Sequence, residues 1–268
     1  MALPSPSAGS TALVTGASSG IGADIARQLA ERGHGVTLVA RREERLNALA
    51  GEIESKLHVR TDVIACDLSD HAAREQLVAE IRARGRDVAV LVNNAGFGSA
   101  GRFQDLDLDQ ELRMVRTNVE AVVHLCGEYI PGMIGRGEGA VLNVASTAAF
   151  QPLARQSTYS ASKAFVLGFT EVLSSDLKGT GVTATALCPG PVKTEFTDQH
   201  EGFEAAASTP DFVWMSAEEC ARAAVKGLER GKRVVVPGVG NRIGALAGQH
   251  APRSALLAAT RRFYPLGR

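Results

Sequence analysis

The chain has 268 residues, of which 45% are hydrophobic and 22% are charged, and its 29 Lys and Arg residues equal its 29 Asp and Glu residues. Such a composition is typical of a globular protein that buries a full core without disulfides or metals, and the balanced charge gives no bulk attraction to nucleic acid or anionic lipid. Four scattered cysteines without metal-ligand spacing favour reduced thiols in a cytoplasmic protein and no metal site.

The first ten residues, MALPSPSAGS, lack the basic start and the apolar centre of a signal peptide. We therefore interpret residues 1–10 as a flexible tail. Apolar runs long enough to cross a bilayer are absent from the sequence, so we predict a cytoplasmic protein with no integral membrane segment.

Seven short runs rich in apolar and β-branched residues recur along the chain. They lie at 11–15, 35–40, 61–66, 88–93, 140–145, 182–188 and 233–237. Their nearly unbroken apolar content is typical of parallel strands covered on both faces. The segments between them carry apolar residues at helical spacing. Residues 11–240 are therefore predicted to form one α/β domain, a doubly wound (Rossmann) seven-stranded parallel sheet with helices on both faces.

The chain after the sixth predicted strand is less regular. From 191 to 215 the pattern dissolves into Pro, Gly and isolated aromatic residues. Long insertions in compact domains tend to be functional, so we interpret this one as a substrate lid. The sequence SAEE at 216–219 has the form of a capping box and predicts a helix start.

The C-terminal residues 241–268 combine aliphatic and aromatic residues with basic ones, and we interpret them as a helical extension. Three roles are open for this extension: it packs across the subunit, it closes the substrate pocket, or it lies on a membrane surface. Of these, packing is the preferred interpretation.

A glycine-rich turn, TGASSGIG at residues 15–22, follows the first strand and opens the first predicted helix. Gly16 permits a tight turn, Gly20 lets the backbone approach a bound group, and Gly22 lets the helix pack closely on the sheet. The N–H groups at such a helix start bind a pyrophosphate. An ordinary turn is the alternative, but the strand before and the helix after favour a nucleotide site.

The spacing G-x-x-x-G-x-G differs from the G-x-G-x-x-G of most dinucleotide folds. With Thr15 in front, it resembles the short-chain dehydrogenase/reductase family, and the resemblance covers about residues 11–240. Further matching positions are CDL at 66–68, NNAG at 93–96, Asn118, Ser146, Tyr159, Lys163, and PG at 189–190 followed by Thr194. Ser146 and Tyr159 have the family's usual interval of 13 residues. Within the family, the chain looks like the NADP-linked carbonyl reductases.

The end of the second predicted strand, LVARREER, indicates which nicotinamide cofactor is bound. Arg41 and Arg42 stand where an NAD-binding protein usually presents an acid to the ribose. An acid would repel a 2′-phosphate, whereas a guanidinium binds one through two charge-assisted hydrogen bonds. The alternative is a solvated charge run, although arginine is unfavourable near a helix N-terminus without an anion. We predict NADP(H), with Arg41 the stronger candidate and Arg42 the second.

The resemblance also implies which residues contact the cofactor. They are Gly16, Ser18, Ser19, Gly20, Ile21, Arg41, Arg42, Asp67, Leu68, Asn94, Ala95, Gly96, Pro189, Gly190, Val192 and Thr194. Asp67 would meet the adenine amino group with Leu68 packed nearby, and Asn93 would help to stabilise the central sheet. Lys193 and Glu195 are interpreted as loop surface.

Tyr159 and Lys163 stand one turn apart in a helix predicted over 157–177. A phenol with a pKa near 10 donates a proton slowly at neutral pH, and a neighbouring ammonium lowers that pKa. We infer that Tyr159 is the general acid/base, that Lys163 holds the ribose and tunes Tyr159, and that Ser146 binds the carbonyl oxygen. Asn118 would anchor a water joined to Lys163; a polar residue at a helix irregularity is its alternative.

The predicted substrate is a small-molecule carbonyl compound or alcohol, and an apolar lid suits a lipophilic ketone or a 3-ketoacyl chain. The candidate substrate-binding residues are Phe97, Phe150, Phe196 and Trp214. Relatives pair the helices predicted at 107–130 and 157–177, so the resemblance implies a homodimer or homotetramer. Rival functions are a non-catalytic dinucleotide-binding regulator and an epimerase or dehydratase on the same scaffold. An intact Ser146, Tyr159 and Lys163 set argues against the first, and the short length argues against the second.

Overall fold

A computed structural model of the chain describes residues 3–195 and 214–263. The strands are β1 (Ser10–Thr15), β2 (Val36–Ala40), β3 (Thr61–Ala65), β4 (Asp87–Asn93), β5 (Gly139–Val144), β6 (Val182–Leu187), β7 (Val192–Lys193), β8 (Met215–Ser216) and β9 (Val234–Val235). The α-helices are α1 (Gly20–Ala30), α2 (Glu43–Leu57), α3 (His71–Ala83), α4 (Leu108–Val115), α5 (Ala121–Arg136), α6 (Ser157–Asp176), α7 (Ala217–Glu229), α8 (Val239–His250) and α9 (Arg253–Phe263). Short 3-10 turns lie at Phe103–Asp105 and Thr147–Phe150.

Seven of these strands form one parallel sheet in the order β3-β2-β1-β4-β5-β6-β9, and β7 pairs with β8 separately. Each strand of the large sheet begins within one residue of its predicted start. The predicted fold class is therefore confirmed, and so is the predicted capping box at the start of α7, where Ser216 and Glu219 bond reciprocally.

Successive residues of each strand face two separate hydrophobic layers. Ala12 and Val14 of β1 belong to the layer covered by α1, α2 and α7, whereas Leu13 belongs to the layer covered by α3, α5 and α6. Because both faces are covered, the strands need apolar residues at every position, which explains their unbroken hydrophobic runs.

The crevice that receives ligands in such folds lies where the strand order reverses. Here the reversal falls between β1 and β4, which are neighbours in the sheet, with Leu13 opposite Leu91. The chain leaves β1 towards one edge of the sheet and leaves β4 towards the other. The loops after these two strands therefore diverge and open a space at their carboxyl ends.

Buried polar side chains join the centre of the sheet to α6. Asn93 of β4 donates to Oδ1 of Asn143 at 2.8 Å, and Asn143 donates to Oγ1 of Thr170 at 2.9 Å. Thr170 in turn donates to the carbonyl of Val166 at 2.6 Å. Since all three donors are buried and satisfied, this chain fixes the position of α6 on the sheet.

The predicted helix over 107–130 is divided. Its two parts, α4 and α5, are joined by a π-helical turn over Arg116–Glu120, and α5 continues past Pro131 to Arg136. None of the helices in residues 3–195 and 214–263 is long and apolar enough to cross a membrane.

Two glycines before β6 provide a test of the fold. Gly179 and Gly181 both have a left-handed backbone, but a Cβ on Gly179 would meet no atom, whereas one on Gly181 would lie 1.8 Å from the carbonyl oxygen of Gly137. We expect Gly179→Ala to lower the free energy of unfolding by about 1–2 kcal/mol and Gly181→Ala to lower it by about 4 kcal/mol or more. Urea unfolding of both variants measures the difference, and equal losses would contradict the close contact.

Candidate active site

A cavity of about 600 Å³ opens at the carboxyl ends of the central strands. All sixteen predicted cofactor-binding residues line this cavity, and so do Ser146, Tyr159 and Lys163. The volume is in the range that holds a cofactor or small ligand. Residues predicted from motifs more than 170 positions apart are therefore brought together around one space.

The glycine turn is held in shape by Thr15 at the end of β1. The Thr15 hydroxyl donates to the carbonyl of Val92 at 3.1 Å and accepts from the N–H groups of Asn94 and Ala95 at 3.0 and 3.1 Å. The Asn94 amide donates back to the carbonyl of Thr15 at 3.0 Å. These bonds join the turn to the NNAG segment and leave the start of α1 facing the cavity.

Two consecutive arginines follow β2, and they differ in their contacts. Arg42 donates to the hydroxyls of Ser18 and Ser19 at 3.0 and 2.8 Å, which attaches it to the glycine turn. Arg41 lines the same cavity, and its charge acts on the carboxylate of Asp67. The structure therefore gives Arg42, the second candidate in the sequence, the more direct connection to the turn.

Asp67 lies at the end of the cavity beside these arginines. Its Oδ1 accepts from the N–H and the hydroxyl of Ser69 at 2.9 and 2.8 Å. Burial raises the pKa of Asp67, but the two Ser69 hydrogen bonds and the charges of Arg41 and Arg113 outweigh that effect and lower the pKa overall. Asp67 is thus a hydrogen-bond acceptor at neutral pH.

Lys163 is buried in the wall of the cavity. Its Nζ donates to the carbonyl of Val144 at 2.9 Å and lies 5.9 Å from the centre of the Tyr159 ring. Burial lowers the pKa of Lys163 to about 8 because the charged form loses its hydration. The lysine therefore remains mostly charged at neutral pH and can act on the phenol across this short distance.

Ser146 and Tyr159, which both line the cavity, are fixed by local structure. Ser146 caps the 3-10 turn that follows β5, and its Oγ accepts from the N–H of Ala148 at 3.1 Å. Tyr159 lies in the first turn of α6, and its carbonyl accepts from the Ser162 hydroxyl at 2.7 Å. Both positions are set by backbone elements and not by long loops, which suits groups that must align with a substrate.

Asn118 lies behind the cavity wall, in the π-helical turn between α4 and α5. Its amide donates to the carbonyl of Phe97 at 2.9 Å and to the Ser162 hydroxyl at 3.1 Å, and its Oδ1 accepts from the Phe97 N–H at 3.2 Å. The side chain therefore bridges the NNAG loop and α6. The helix irregularity weighed in the sequence is present; the water anchor stays a prediction.

The predicted substrate-binding residues fall in three places. Phe97 and Trp214 line the cavity. Phe150 packs against the hydrophobic layer covered by α3, α5 and α6 and does not belong to the cavity wall. Phe196 lies outside the described residues, as does most of the predicted lid, so the lid stays a prediction.

The C-terminal helices contact the segments around the cavity. A Cβ on Gly190 would lie 2.1 Å from Oδ1 of Asn241 in α8, and a Cβ on Gly248 would lie 3.1 Å from Gln151. In α9, the hydroxyl of Thr260 accepts from the N–H of Ala154 at 3.2 Å. Gly190 and Gln151 line the cavity, so α8 lies directly behind this part of its wall.

A histidine cluster lies outside the cavity, between α3 and α5. The ligand atoms of His71, Glu75 and His124 all lie within 4.8 Å of one another. The buried Arg74, however, donates to Nδ1 of His124 at 3.2 Å, so the ring must carry its proton on Nε2, which lies 2.9 Å from Glu75. Both nitrogens of His124 therefore have a partner within the protein, and these contacts indicate a hydrogen-bond network.

Comparison with known proteins agrees with this geometry. Residues 10–204 match the sequence profile described as short chain dehydrogenase. The chain belongs to the short-chain dehydrogenase family. It is 41% identical over 198 residues to sulfoacetaldehyde reductase 2 of Chromohalobacter salexigens, covering 73% of this chain and 78% of the relative. It is 36% identical over 226 residues to the very-long-chain 3-oxoacyl-CoA reductase of Anas platyrhynchos, covering 82% and 69%.

A solved relative extends the comparison to three dimensions. The short-chain dehydrogenase from Sphingobium yanoikuyae, in complex with NADPH, superposes with a TM-score of 0.79 at 32% identity, covering 89% of this chain and 92% of that one. The family, the arginines after β2 and the glycine turn together identify the chain as an NADP(H)-dependent oxidoreductase. The predicted family, enzyme class and cofactor are confirmed.

Several residues of the dehydrogenase's cavity wall were missed in the sequence. They are Ser69, Gln110, Arg113, Thr117, Gln151, Leu153, Gln156 and Glu195. Gln110, Arg113 and Thr117 are spaced by three and four residues, so the helical period of this segment carried the signal that they share one face. Glu195, interpreted as loop surface, is 41% exposed and forms ion pairs with Arg42 and Arg45.

Proposed function

We propose that this dehydrogenase is a carbonyl reductase that converts a lipophilic ketone or a 3-ketoacyl compound to the alcohol, with Tyr159 as the proton donor. The observation that carries this proposal is that Tyr159 and the buried Lys163, which lie 5.9 Å apart from ring centre to Nζ, line the same cavity as Arg42 and the glycine turn. A reducing cofactor and a proton donor thus have adjoining sites.

The chemistry follows from these positions. NADPH, when bound, supplies the hydride that the carbonyl carbon accepts. Tyr159 gives its phenolic proton to the carbonyl oxygen, and the charged Lys163 stabilises the phenolate that remains. Ser146 donates a hydrogen bond to the same oxygen and holds it in place. Asn118 acts as a positioning residue, because its bonds to Phe97 and Ser162 join the segment after NNAG to α6, the helix that carries Tyr159 and Lys163.

The surroundings of Tyr159 support a lipophilic substrate. Tyr159 packs with Met114 and Ala148, and Phe97 and Leu153 cover this cluster. Apolar walls around a few polar groups favour a substrate whose carbonyl is flanked by hydrocarbon. The compound in the name of one relative, very-long-chain 3-oxoacyl-CoA, fits such a wall well. The compound in the name of the other, sulfoacetaldehyde, is small and carries a charged sulfonate, and it fits less well.

The exposed faces of α4 and α6 support self-association. Leu108 and Leu112 are 61% and 44% exposed, and Phe165 and Val172 are 43% and 62% exposed. Apolar side chains concentrated on neighbouring helices mark an interaction surface. We therefore assign a homodimer or homotetramer that pairs these helices.

A cytoplasmic location is part of the proposal. All four cysteines are buried and unpaired. Burial raises the pKa of Cys66 to about 11 and that of Cys220 to about 12, so these thiols remain protonated and unreactive. Unpaired structural thiols of this kind are typical of reducing compartments.

Following NADPH absorbance with matched carbonyl panels tests the function. The panels are 3-ketoacyl thioesters of increasing chain length, lipophilic ketones including steroids, and short charged aldehydes. We expect kcat/KM to rise with the apolar length of the substrate. Higher kcat/KM for the charged aldehydes would overturn the substrate class, and tight NADPH binding without turnover of any substrate would favour the dinucleotide-binding regulator.

A further inference from the structure

The carboxylate of Glu195, a residue of the cavity wall, lies between two arginines. Its Oε2 is 2.9 Å from Nη1 of Arg42, and its two oxygens are 2.6 and 2.7 Å from Nη1 of Arg45. Arg42 and Arg45 come from the start of α2, whereas Glu195 follows β7, about 150 positions later in the chain. The fold therefore builds an anion site from distant segments, and a side chain of the protein occupies it.

This anion site adjoins the nucleotide-binding turn. The Arg42 guanidinium, which binds Glu195, also donates to the hydroxyls of Ser18 and Ser19. The neighbouring Thr194 runs along the same turn, since a Cβ on Gly20 would lie 3.0 Å from its methyl group. The segment that carries Glu195 is thus in contact with the turn on which the cofactor phosphates would lie.

A carboxylate and a phosphate satisfy arginine in the same way. Both present two oxygens that accept parallel hydrogen bonds from a guanidinium, and both carry the charge that balances it. The two arginines lower the pKa of Glu195, so its carboxylate is ionised at neutral pH. One anion held between Arg42 and Arg45 excludes a second from the same donors.

We infer that Glu195 and Arg45 belong to the 2′-phosphate site of the cofactor: Glu195 occupies it in the cofactor-free protein, and the phosphate displaces Glu195 and pairs with Arg42 and Arg45. The inference rests on the NADP(H) dependence of the proposed function. Glu195 then sets selectivity, because it opposes binding of nucleotides that carry a 2′-phosphate and leaves those without one unaffected.

Titration calorimetry with 2′,5′-ADP and 5′-AMP tests the inference without turnover. Because Glu195 and its partners are partly exposed, we expect Glu195→Gln to bind 2′,5′-ADP only about 3- to 10-fold more tightly than the wild type. We expect Arg45→Gln to bind it about 10-fold less tightly. The affinity for 5′-AMP should be the same in all three proteins, because 5′-AMP lacks the 2′-phosphate that competes with Glu195.

Glu44→Gln is the matched control. Glu44 is an exposed acid in the first turn of α2, so its removal changes the net charge beside the arginines equally. Its affinity for 2′,5′-ADP should remain close to that of the wild type. An equal gain in Glu44→Gln would show that general charge is responsible and would overturn the displacement.

The remaining outcomes separate this inference from the function on which it rests. Unchanged or weaker binding of 2′,5′-ADP by Glu195→Gln would show that Glu195 does not compete with the phosphate. A wild-type protein that binds 5′-AMP and 2′,5′-ADP equally would overturn the 2′-phosphate site and with it the inference. Raising the salt concentration should bring the wild type and Glu195→Gln closer together, because the exposed ion pairs are screened.

Discussion

Tyr159→Phe should lower kcat by about 100- to 10,000-fold and leave NADPH binding nearly unchanged. The substitution removes one hydroxyl and keeps the ring, so its contacts with Met114 and Ala148 remain. Without the hydroxyl, the alkoxide that forms on the substrate has no acid of matched position to protonate it. Stopped-flow and steady-state measurements of NADPH oxidation with the best substrate of the panel, beside fluorescence titration of NADPH, separate the two effects.

Tyr129→Phe is the matched control for this experiment. Tyr129 is a partly buried tyrosine in α5, and its hydroxyl has no hydrogen-bond partner among the described residues. Burial raises its pKa, and it does not line the cavity. The control should therefore keep wild-type kcat. If Tyr159→Phe also kept it, the assignment of the proton donor would be wrong.

Lys163→Met should abolish most turnover and at the same time stabilise the cofactor-free protein. Burial lowers the pKa of Lys163 to about 8, compared with an ordinary value of 10.5. Since each pKa unit corresponds to about 1.4 kcal/mol, the charged lysine costs the folded state on the order of 3 kcal/mol. Loss of the hydrogen bond to Val144 reduces this stabilisation by about 1 kcal/mol. Differential scanning calorimetry should show a rise in Tm of about 4–8 °C.

The stability difference between Lys163→Met and the wild type should depend on pH. Below pH 8 the lysine is protonated in both the folded and the unfolded chain, so the cost is fully present. Between pH 8 and 10.5 the unfolded chain holds the proton more tightly, so wild-type stability rises with pH and the difference from Lys163→Met shrinks. Lys178→Met, at an exposed position, should change neither Tm nor kcat. A Lys163→Met protein less stable than the wild type at pH 7 would contradict the cost of the buried charge.

The sheet was predictable because its strands are buried on both faces, so each strand appears in the sequence as a nearly continuous run of apolar residues. The division of α4 from α5 was anticipated only as the alternative interpretation of Asn118, because the π-helical turn over Arg116–Glu120 contains no Gly or Pro that would mark a break in the helix. Likewise, Pro131 did not end α5, since tertiary packing of the buried Ile130 and Met133 keeps the helix in place.

The residues of the cavity wall could likewise be predicted only in part. Residues within motifs were found because their spacing is local, as for Tyr159 and Lys163. Glu195 and its pairing with Arg45 were missed because nothing in the sequence relates two charged residues 150 positions apart. The sequence also could not show which of Arg41 and Arg42 contacts the glycine turn. That depends on which side chain points towards Ser18 and Ser19 at the point where β2 ends.

The pairing of β1 with β4 has a consequence for the order of folding. Thr15 shapes the glycine turn through bonds to Val92, Asn94 and Ala95, which lie nearly 80 positions later in the chain. Three helical connections, through α1, α2 and α3, lie between β1 and β4 in the chain, and closing such a long loop costs entropy before it gains any contact. The phosphate-binding shape of the turn is therefore completed late in folding. A fluorescent nucleotide added during refolding would report the closing of the central sheet.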